Sequence, residues 1–201
     1  SPAQRSADWR RGLGIGDDEP VIGFVGRLVM EKGLDVYCEA IEELERRKVS
    51  HRVLIVGEGP ARGWFEARLR KGIFVGFQKG GDLGRAVASM DILFNPSVTE
   101  TFGNVTLEAM ACALPVVAAI ATGSESLVKD GVSGRLIRPG AASEFANALQ
   151  HYCEDGGARR AAGLAGERTA ERFSWGRVNQ ALVETYLRIL RQRQARSGVA
   201  Q

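Results

Sequence analysis

Short apolar runs bounded by glycine or proline recur along the chain, separated by longer stretches whose apolar residues fall every three or four positions. The first kind reads as buried strands and the second as helices packed on them. Strands are predicted at Val21–Val25, Arg52–Val56, Ile73–Val75, Asp91–Asn95, Val116–Ala119 and Arg135–Arg138. Helical patterns lie between them at Leu34–Arg47, Arg62–Leu69, Leu83–Ser89, Val105–Ala113 and Ser143–Tyr152. Pro115 ends the fourth of these, because it lacks an N–H and restricts the residue before it. Ala158–Arg172 reads as another helix, and Trp175, Val178, Leu182, Tyr186 and Ile189 mark one face of a last long one. This alternation predicts an α/β fold: a doubly wound parallel sheet of about six strands with helices on both faces.

Composition narrows the class. A chain of 201 residues with 44% hydrophobic content buries a full core and suits one domain, or at most two small ones. The net charge of +3, from 27 basic and 24 acidic residues, is too mild to argue for nucleic acid. A late basic cluster (Arg188, Arg191, Arg193, Arg196) reads as a solvated helix face before it reads as a contact with an anionic membrane. No apolar run approaches the roughly 20 residues of a bilayer span. Cys38, Cys112 and Cys153 are odd in number, widely spaced and set among apolar residues, so a reducing compartment is expected, with neither a zinc site nor a disulfide framework. The chain has no initiator Met and no signal peptide, and Ser1-Pro-Ala-Gln-Arg reads as a start inside a longer protein.

Candidate chemistry sits in the loops that follow strands. Gly26-Arg-Leu-Val-Met-Glu-Lys-Gly33 comes directly after the first. Its glycine allows close backbone approach, and Arg27 and Lys32 together could neutralise much of a diphosphate. A plain helix entry with a Glu31/Lys32 surface pair is the competing reading. Gly57-Glu-Gly-Pro60 lacks the third glycine of a dinucleotide fingerprint and has proline where flexibility is needed, so NAD binding is rejected. A tight turn giving backbone access, or simply a turn, remains. Glu100-Thr-Phe-Gly-Asn-Val-Thr-Leu-Glu108 joins the fourth strand to a helix. Phe102, Gly103 and Asn104 can open that helix so that its free N–H groups point at the strand end, where a phosphate or sugar oxygen would sit. Taken singly, Glu100 is a surface loop acid and Glu108 a helix acid paired with a nearby base; their common edge with Arg27 and Lys32 reverses that balance. Ala121-Thr-Gly-Ser-Glu-Ser126 could admit a sugar, or be a loop and a helix cap. His51 and His151 lie away from this edge, which argues against catalytic roles. In a parallel sheet these loops crowd one edge, the one where open α/β sheets bind ligands.

Gly26-Arg-Leu-x-x-Glu-Lys-Gly33, Gly57-Glu-Gly-Pro60, Asp91-Ile-Leu-Phe-Asn-Pro-Ser97, Glu100-Thr-Phe-Gly-Asn-Val-Thr-Leu-Glu-Ala-Met-Ala111 and Pro115-Val-Val-Ala118 resemble the C-terminal, donor-binding domain of retaining glycosyltransferases of family 4, the glycosyl transferases group 1. The resemblance runs from about Val21 to Leu190 in the right order. Within the family, the short span from Gly59 to Gly76 and the Glu-Thr-Phe-Gly-Asn wording resemble α-mannosyltransferases and related enzymes that glycosylate lipids.

The resemblance implies a GT-B architecture of two Rossmann-like domains, with the nucleotide sugar (GDP-mannose or a UDP-sugar) bound mostly by the second and a lipid or saccharide acceptor mostly by the first. On that basis residues 1–20 are a flexible start or interdomain linker and 21–173 the nucleotide-sugar-binding domain. Residues 174–193 are a helix that packs back on the other domain, and 194–201 a tail. Arg27 and Lys32 would hold the donor diphosphate and stabilise the departing nucleoside diphosphate. Glu100 would bind hydroxyls of the transferred sugar near the reacting carbon. Backbone N–H groups of Phe102, Gly103 and Asn104 would meet the sugar and distal phosphate, and Glu108 would hold the ribose. Backbone around Gly26, Gly57, Phe74 and Val75 would frame the nucleotide and its base. The resemblance implies no cofactor and no metal, a cytoplasmic location with peripheral contact at the inner membrane face as an option, and no turnover by the chain alone. Two positions depart from the family pattern: Ala113 stands where glycine is common, and Thr-Gly-Ser-Glu-Ser at 122–126 replaces the usual Gly-Gly-x-x-Glu. The alternatives are a nucleotide-binding or regulatory module that kept the fold without the chemistry, and a sugar-nucleotide epimerase, whose catalytic carboxylates and histidines cannot be placed here.

Overall fold

Six strands form one all-parallel sheet in the computed structural model, which describes residues 1–197. They are β1 (Val21–Val25), β2 (Arg52–Val56), β3 (Ile73–Phe74), β4 (Ile92–Asn95), β5 (Val116–Ala119) and β6 (Gly134–Ile137). Their order across the sheet is β3-β2-β1-β4-β5-β6, and every pair is parallel. The chain therefore builds outward from β1 to one side, then returns to add β4, β5 and β6 on the other. This is the doubly wound, Rossmann-like arrangement, with its switch point between β1 and β4.

Helices α2 (Leu34–Arg46), α3 (Arg62–Arg68) and α7 (Ala142–Glu154) pack on one face of the sheet. Helices α4 (Gly80–Ala88), α5 (Asn104–Met110) and α8 (Gly156–Ala170) pack on the other, while α6 (Thr122–Leu127) sits at the end of β5. Alternation along the strands sorts their side chains accordingly. Ile22, Phe24, Ile55, Ile92 and Phe94 join the first core, and Val21, Leu54, Leu93 and Val116 the second. Tyr37 of α2 is the hub of the first core, stacked on Phe94 at 4.6 Å and edge-on to Phe24 and Phe65 at 5.6 and 5.5 Å. Burying each such ring stabilises the fold by about 1.5–3 kcal/mol from area alone, and burial pushes the Tyr37 hydroxyl well above its ordinary pKa. On the second face Gly23 leaves the space that the Met90 side chain fills, and Gly163 lets α8 settle against the Ala113 carbonyl.

Three strands coincide with their predicted bounds, and the other elements differ by a few residues at their ends. Two helices have no counterpart in the sequence prediction: α1 (Ala7–Gly12) and α6. Residues 1–20, expected as a flexible linker, carry a 3₁₀ turn at Pro2–Gln4 and then α1, which is fastened to the amino edge of the sheet. Arg10, only 2% exposed, donates to the carbonyls of Ser89, Gly16 and Glu19 and to Asp91 Oδ2 at 2.7–3.1 Å. Asp91 Oδ2 also accepts the Val21 N–H at 2.9 Å, and Oδ1 pairs with Arg5 at 2.9 Å. One carboxylate thus joins the chain ahead of β1, β1 itself and the start of β4.

The last helix, α9 (Trp175–Ser197), follows a 3₁₀ turn at Glu171–Phe173. Val178, Leu182, Tyr186 and Ile189 fall on it as expected and are exposed. Of the expected loose end at 194–201, residues 194–197 continue this helix and 198–201 lie outside the described residues. No helix among the described residues is long and apolar enough to cross a membrane. The three cysteines are buried as free thiols, and burial pushes Cys38 and Cys153 up to about 12.

Both α2 and α5 end with a reversal whose left-handed residue is not glycine: Lys48 at φ 58° and Ala113 at φ 56°. In each, the following amide reaches back to a carbonyl five residues earlier, Val49 to Leu44 and Leu114 to Ala109, at 3.0 and 3.1 Å. The glycine that the family resemblance leads one to expect at position 113 would suit this left-handed conformation. Ala113→Gly should stabilise the chain by about 0.5–1 kcal/mol, read from the urea midpoint at unchanged slope. Asp91→Ala should cost about 3 kcal/mol in the same measurement, because it strands the buried Arg10 charge.

Candidate functional site

The loops after β1 and β4 leave the sheet on either side of the switch point. After β1, Gly26 (φ 155°) donates its N–H to the Val56 carbonyl at 3.0 Å, and Leu28 donates to Glu58 at 2.9 Å. The loop after β2 crosses beneath it so closely that a Cβ at Gly57 (φ 145°) would strike the Gly26 carbonyl oxygen, and one at Gly59 the Leu28 carbonyl oxygen. Gly57 in turn donates to Gly76 at 2.9 Å, and Val75 donates to Ile55 at 3.1 Å. The Phe74 ring points inward, edge-on to Phe65 at 5.7 Å. These predicted positions therefore offer main chain, not side chains, to the edge. Gly57-Glu-Gly-Pro60 is open loop that leads into a turn closed by the Arg62 N–H on the Gly59 carbonyl at 3.1 Å, and its glycines are needed for the crossing of two loops.

Arg27 is exposed in the first loop; its carbonyl accepts the Val29 N–H at 3.0 Å, while its guanidinium makes no hydrogen bond or ion pair with any described residue. Lys32 closes the 3₁₀ turn Met30–Lys32 and places Nζ 3.4 Å from Glu100 Oε2. The competing Glu31/Lys32 pair does not form. Gly33, left-handed at φ 72°, starts α2 and lies so near the loop after β4 that a Cβ there would stand 2.8 Å from the Pro96 carbonyl oxygen. Ser97, 2% exposed, knits that loop by donating its N–H to Asn95 Oδ1 at 3.3 Å and accepting from the Thr99 N–H at 3.3 Å.

Gly103, left-handed at φ 88°, caps α5, and Asn104 is the helix's first residue. No side chain caps this helix start, which leaves its first N–H groups without a capping acceptor. Phe102 is 45% exposed and meets Phe173 edge-on at 6.0 Å. Glu108, a turn further on, does not join the Lys32–Glu100 pair. It lines a cavity of about 500 Å³ with Phe102, Asn104, Leu107, Phe173 and Val178. No described base pairs with it, and desolvation in this half-apolar setting pushes its carboxyl above the ordinary range.

The structure thus brings Arg27, Lys32, Glu100 and the start of α5 to one edge, with the Gly26/Gly57 crossing beside them. The family model for glycosyl transferases group 1 matches residues 19–155, which contain all of these positions. The chain belongs to that family.

Relatives agree. This glycosyltransferase domain is 31% identical over 190 residues to an uncharacterized glycosyltransferase of Methanocaldococcus jannaschii, covering 91% of the chain and 48% of that protein. It is 36% identical over 203 aligned residues to the D-inositol 3-phosphate glycosyltransferase of Actinosynnema mirum, covering 92% and 48%. Among solved structures it resembles Anabaena HepE crystallised with UDP, at TM-score 0.81 and 29% identity over 92% of this chain and 53% of that one. The chain therefore spans about half the length of the relatives it matches.

One contributor to this edge escaped the sequence prediction. The residues at 122–126, expected either to admit a sugar or to form a loop and cap, are the helix α6, and its Gly123 braces the loop carrying Glu100. The Gly123 N–H donates to the Glu100 carbonyl at 2.9 Å, and a Cβ would stand 2.8 Å from the Phe102 carbonyl carbon. Ser124, fully buried, anchors α6 to β5 by donating to the Ala119 carbonyl at 2.5 Å. Six residues are too few for a helical period to show, so the only signal was the small side chains themselves. His51 lies at the start of β2, opposite this edge, where its Nδ1 contacts the Val49 carbonyl at 2.8 Å.

Because the folded chain holds the Glu108 proton more tightly than the unfolded chain, the stability from neutral Glu108 is full below about pH 4.3 and is lost as the pH rises through its raised value. Glu108→Gln should therefore match the parent in acid and gain stability over it as the pH climbs, in urea melts taken across the carboxylate range.

Proposed function

We propose that this chain is the donor-binding part of a retaining transferase that moves a hexose from a nucleoside diphosphate sugar, GDP-mannose or a UDP-sugar, to a lipid or saccharide acceptor. The observation that carries this reading is the convergence at the switch point: two cations, a carboxylate and an uncapped helix start on a floor of bare main chain. Arg27 and Lys32 hold the diphosphate, the N–H groups of Phe102, Gly103 and Asn104 meet the sugar and distal phosphate, and Glu100 accepts from sugar hydroxyls. Glu108 anchors the ribose, while backbone at Gly26, Gly57, Phe74 and Val75 frames the nucleotide and base. That HepE binds UDP and UDP-glucose supports a donor of this class.

The chemistry follows from where charge develops. As the bond from the sugar carbon to the phosphate oxygen breaks, negative charge gathers on the leaving diphosphate. Fixed cations and a helix N-terminus near that oxygen lower the barrier without a metal. Glu100 and Glu108 are binding groups along one extended ligand, not the acid and base of a glycosidase. Retention then proceeds on one face of the sugar, with the leaving phosphate helping to deprotonate the acceptor hydroxyl. The acceptor is bound by a part of the protein outside this chain, so the chain alone binds donor without transferring it.

The second reading, a nucleotide-binding module without transferase chemistry, draws on fold alone; the intact set of Arg27, Lys32, Glu100 and Glu108 favours the first. Calorimetry with UDP, GDP and ADP tests both. Binding of UDP or GDP in preference to ADP, weakened about tenfold or more by Glu108→Ala, is the expected result. No binding of any diphosphate would sink the donor-site reading.

A further inference from the structure

The Lys32–Glu100 contact joins two loops that are each held in place. Lys32 precedes Gly33, which is pressed against the Pro96 carbonyl, and the Glu100 carbonyl is tied to the Gly123 amide at 2.9 Å. The side chains are 26% and 18% exposed, so water screens the pair only partly. Arg27, one turn of loop away, has no such partner. Of the two cations at the switch point, the Arg27 side chain is free and Lys32 is already neutralised by a carboxylate from the facing loop.

We propose that this ion pair makes the site discriminate between an intact sugar nucleotide and the nucleoside diphosphate left after transfer. The inference rests on the donor-site reading above and adds a coupling to it. In the empty site the two charges satisfy each other. A sugar nucleotide gives each a new partner: phosphate oxygens for Lys32, sugar hydroxyls for Glu100. A nucleoside diphosphate alone draws Lys32 away and leaves Glu100 as a half-buried carboxylate with no partner, facing a diphosphate of its own sign. An uncompensated charge of this kind is costly where water is partly excluded. Glu100 therefore weakens the hold on the spent diphosphate while supporting the intact donor, and the same contact assists product release.

The test uses calorimetry on the chain and its Glu100→Gln, Lys32→Met and doubly substituted forms. Each is titrated with UDP and UDP-glucose and with GDP and GDP-mannose, following whichever pair binds the parent. Glu100→Gln should bind the diphosphate about threefold to tenfold tighter than the parent and bind the sugar nucleotide no tighter or more weakly. In the Lys32→Met background the gain for the diphosphate should largely vanish, because there is no cation left to release. Weaker or unchanged diphosphate binding by Glu100→Gln would overturn the coupling while leaving the donor site standing. So would a gain that persists undiminished without Lys32, since that would be simple repulsion and not the pair. If the parent binds neither pair of ligands, the donor-site reading fails and the coupling fails with it.

Discussion

Parallel pairing is the constraint on which everything else in this molecule depends. A strand that must run alongside its neighbour in the same direction cannot turn back through a hairpin, so every connection returns over a face of the sheet. Helices thereby cover both faces, and the loops that leave the strands all gather at one edge. Where the winding reverses, between β1 and β4, the loops that follow those strands lie side by side, at the point where open α/β sheets form their ligand crevice. Arg27 and Lys32 come from one wall of it, Glu100 and the start of α5 from the other.

Packing beneath the crevice fixes the distance between those walls. Tyr37 belongs to the first turn of α2, which begins directly after Lys32 and Gly33, and it stacks on Phe94 near the end of β4. The same residue touches Phe24 of β1, so the aromatic cluster ties both strands at the switch to the helix that springs from the first loop. Above this rigid support the loops are braced laterally, by Gly33 on Pro96 and by Gly123 on the 100–103 segment. The position of a charged side chain at the edge is therefore set by aromatic rings and close-packed backbone beneath it.

What could be read from the residues in order, and what could not, divides along the same line. Strands β1, β2 and β5 were legible to the residue because each is a short, mostly apolar run that proline or a charged residue opens, β1 and β2 being closed by glycine as well. Once strands and loops alternate, their common edge follows from topology, so the gathering of Arg27, Lys32 and Glu100 was legible too. Helix α1 was not: its stability comes from Arg10 reaching carbonyls at 16, 19 and 89, none of which a local pattern reveals. Helix α6 was missed because its support is tertiary, from Ser124 on β5 and Gly123 on the loop before α5. The Lys32–Glu100 pair spans 68 positions and competed, in the sequence, with the adjacent Glu31.

The crossing of Gly26 and Gly57 bears on how such a site can change over generations. Its floor is main chain pressed against main chain, with no room for even a methyl group at Gly57. A surface of that kind has almost no side-chain alphabet with which to vary. New preferences for a ligand must be written on the rim, in side chains such as Phe77, 71% exposed just beyond β3, while the floor passes unchanged from one variant to the next. The same geometry that lets a backbone approach a ligand closely thus also separates what this domain can alter from what it must inherit intact.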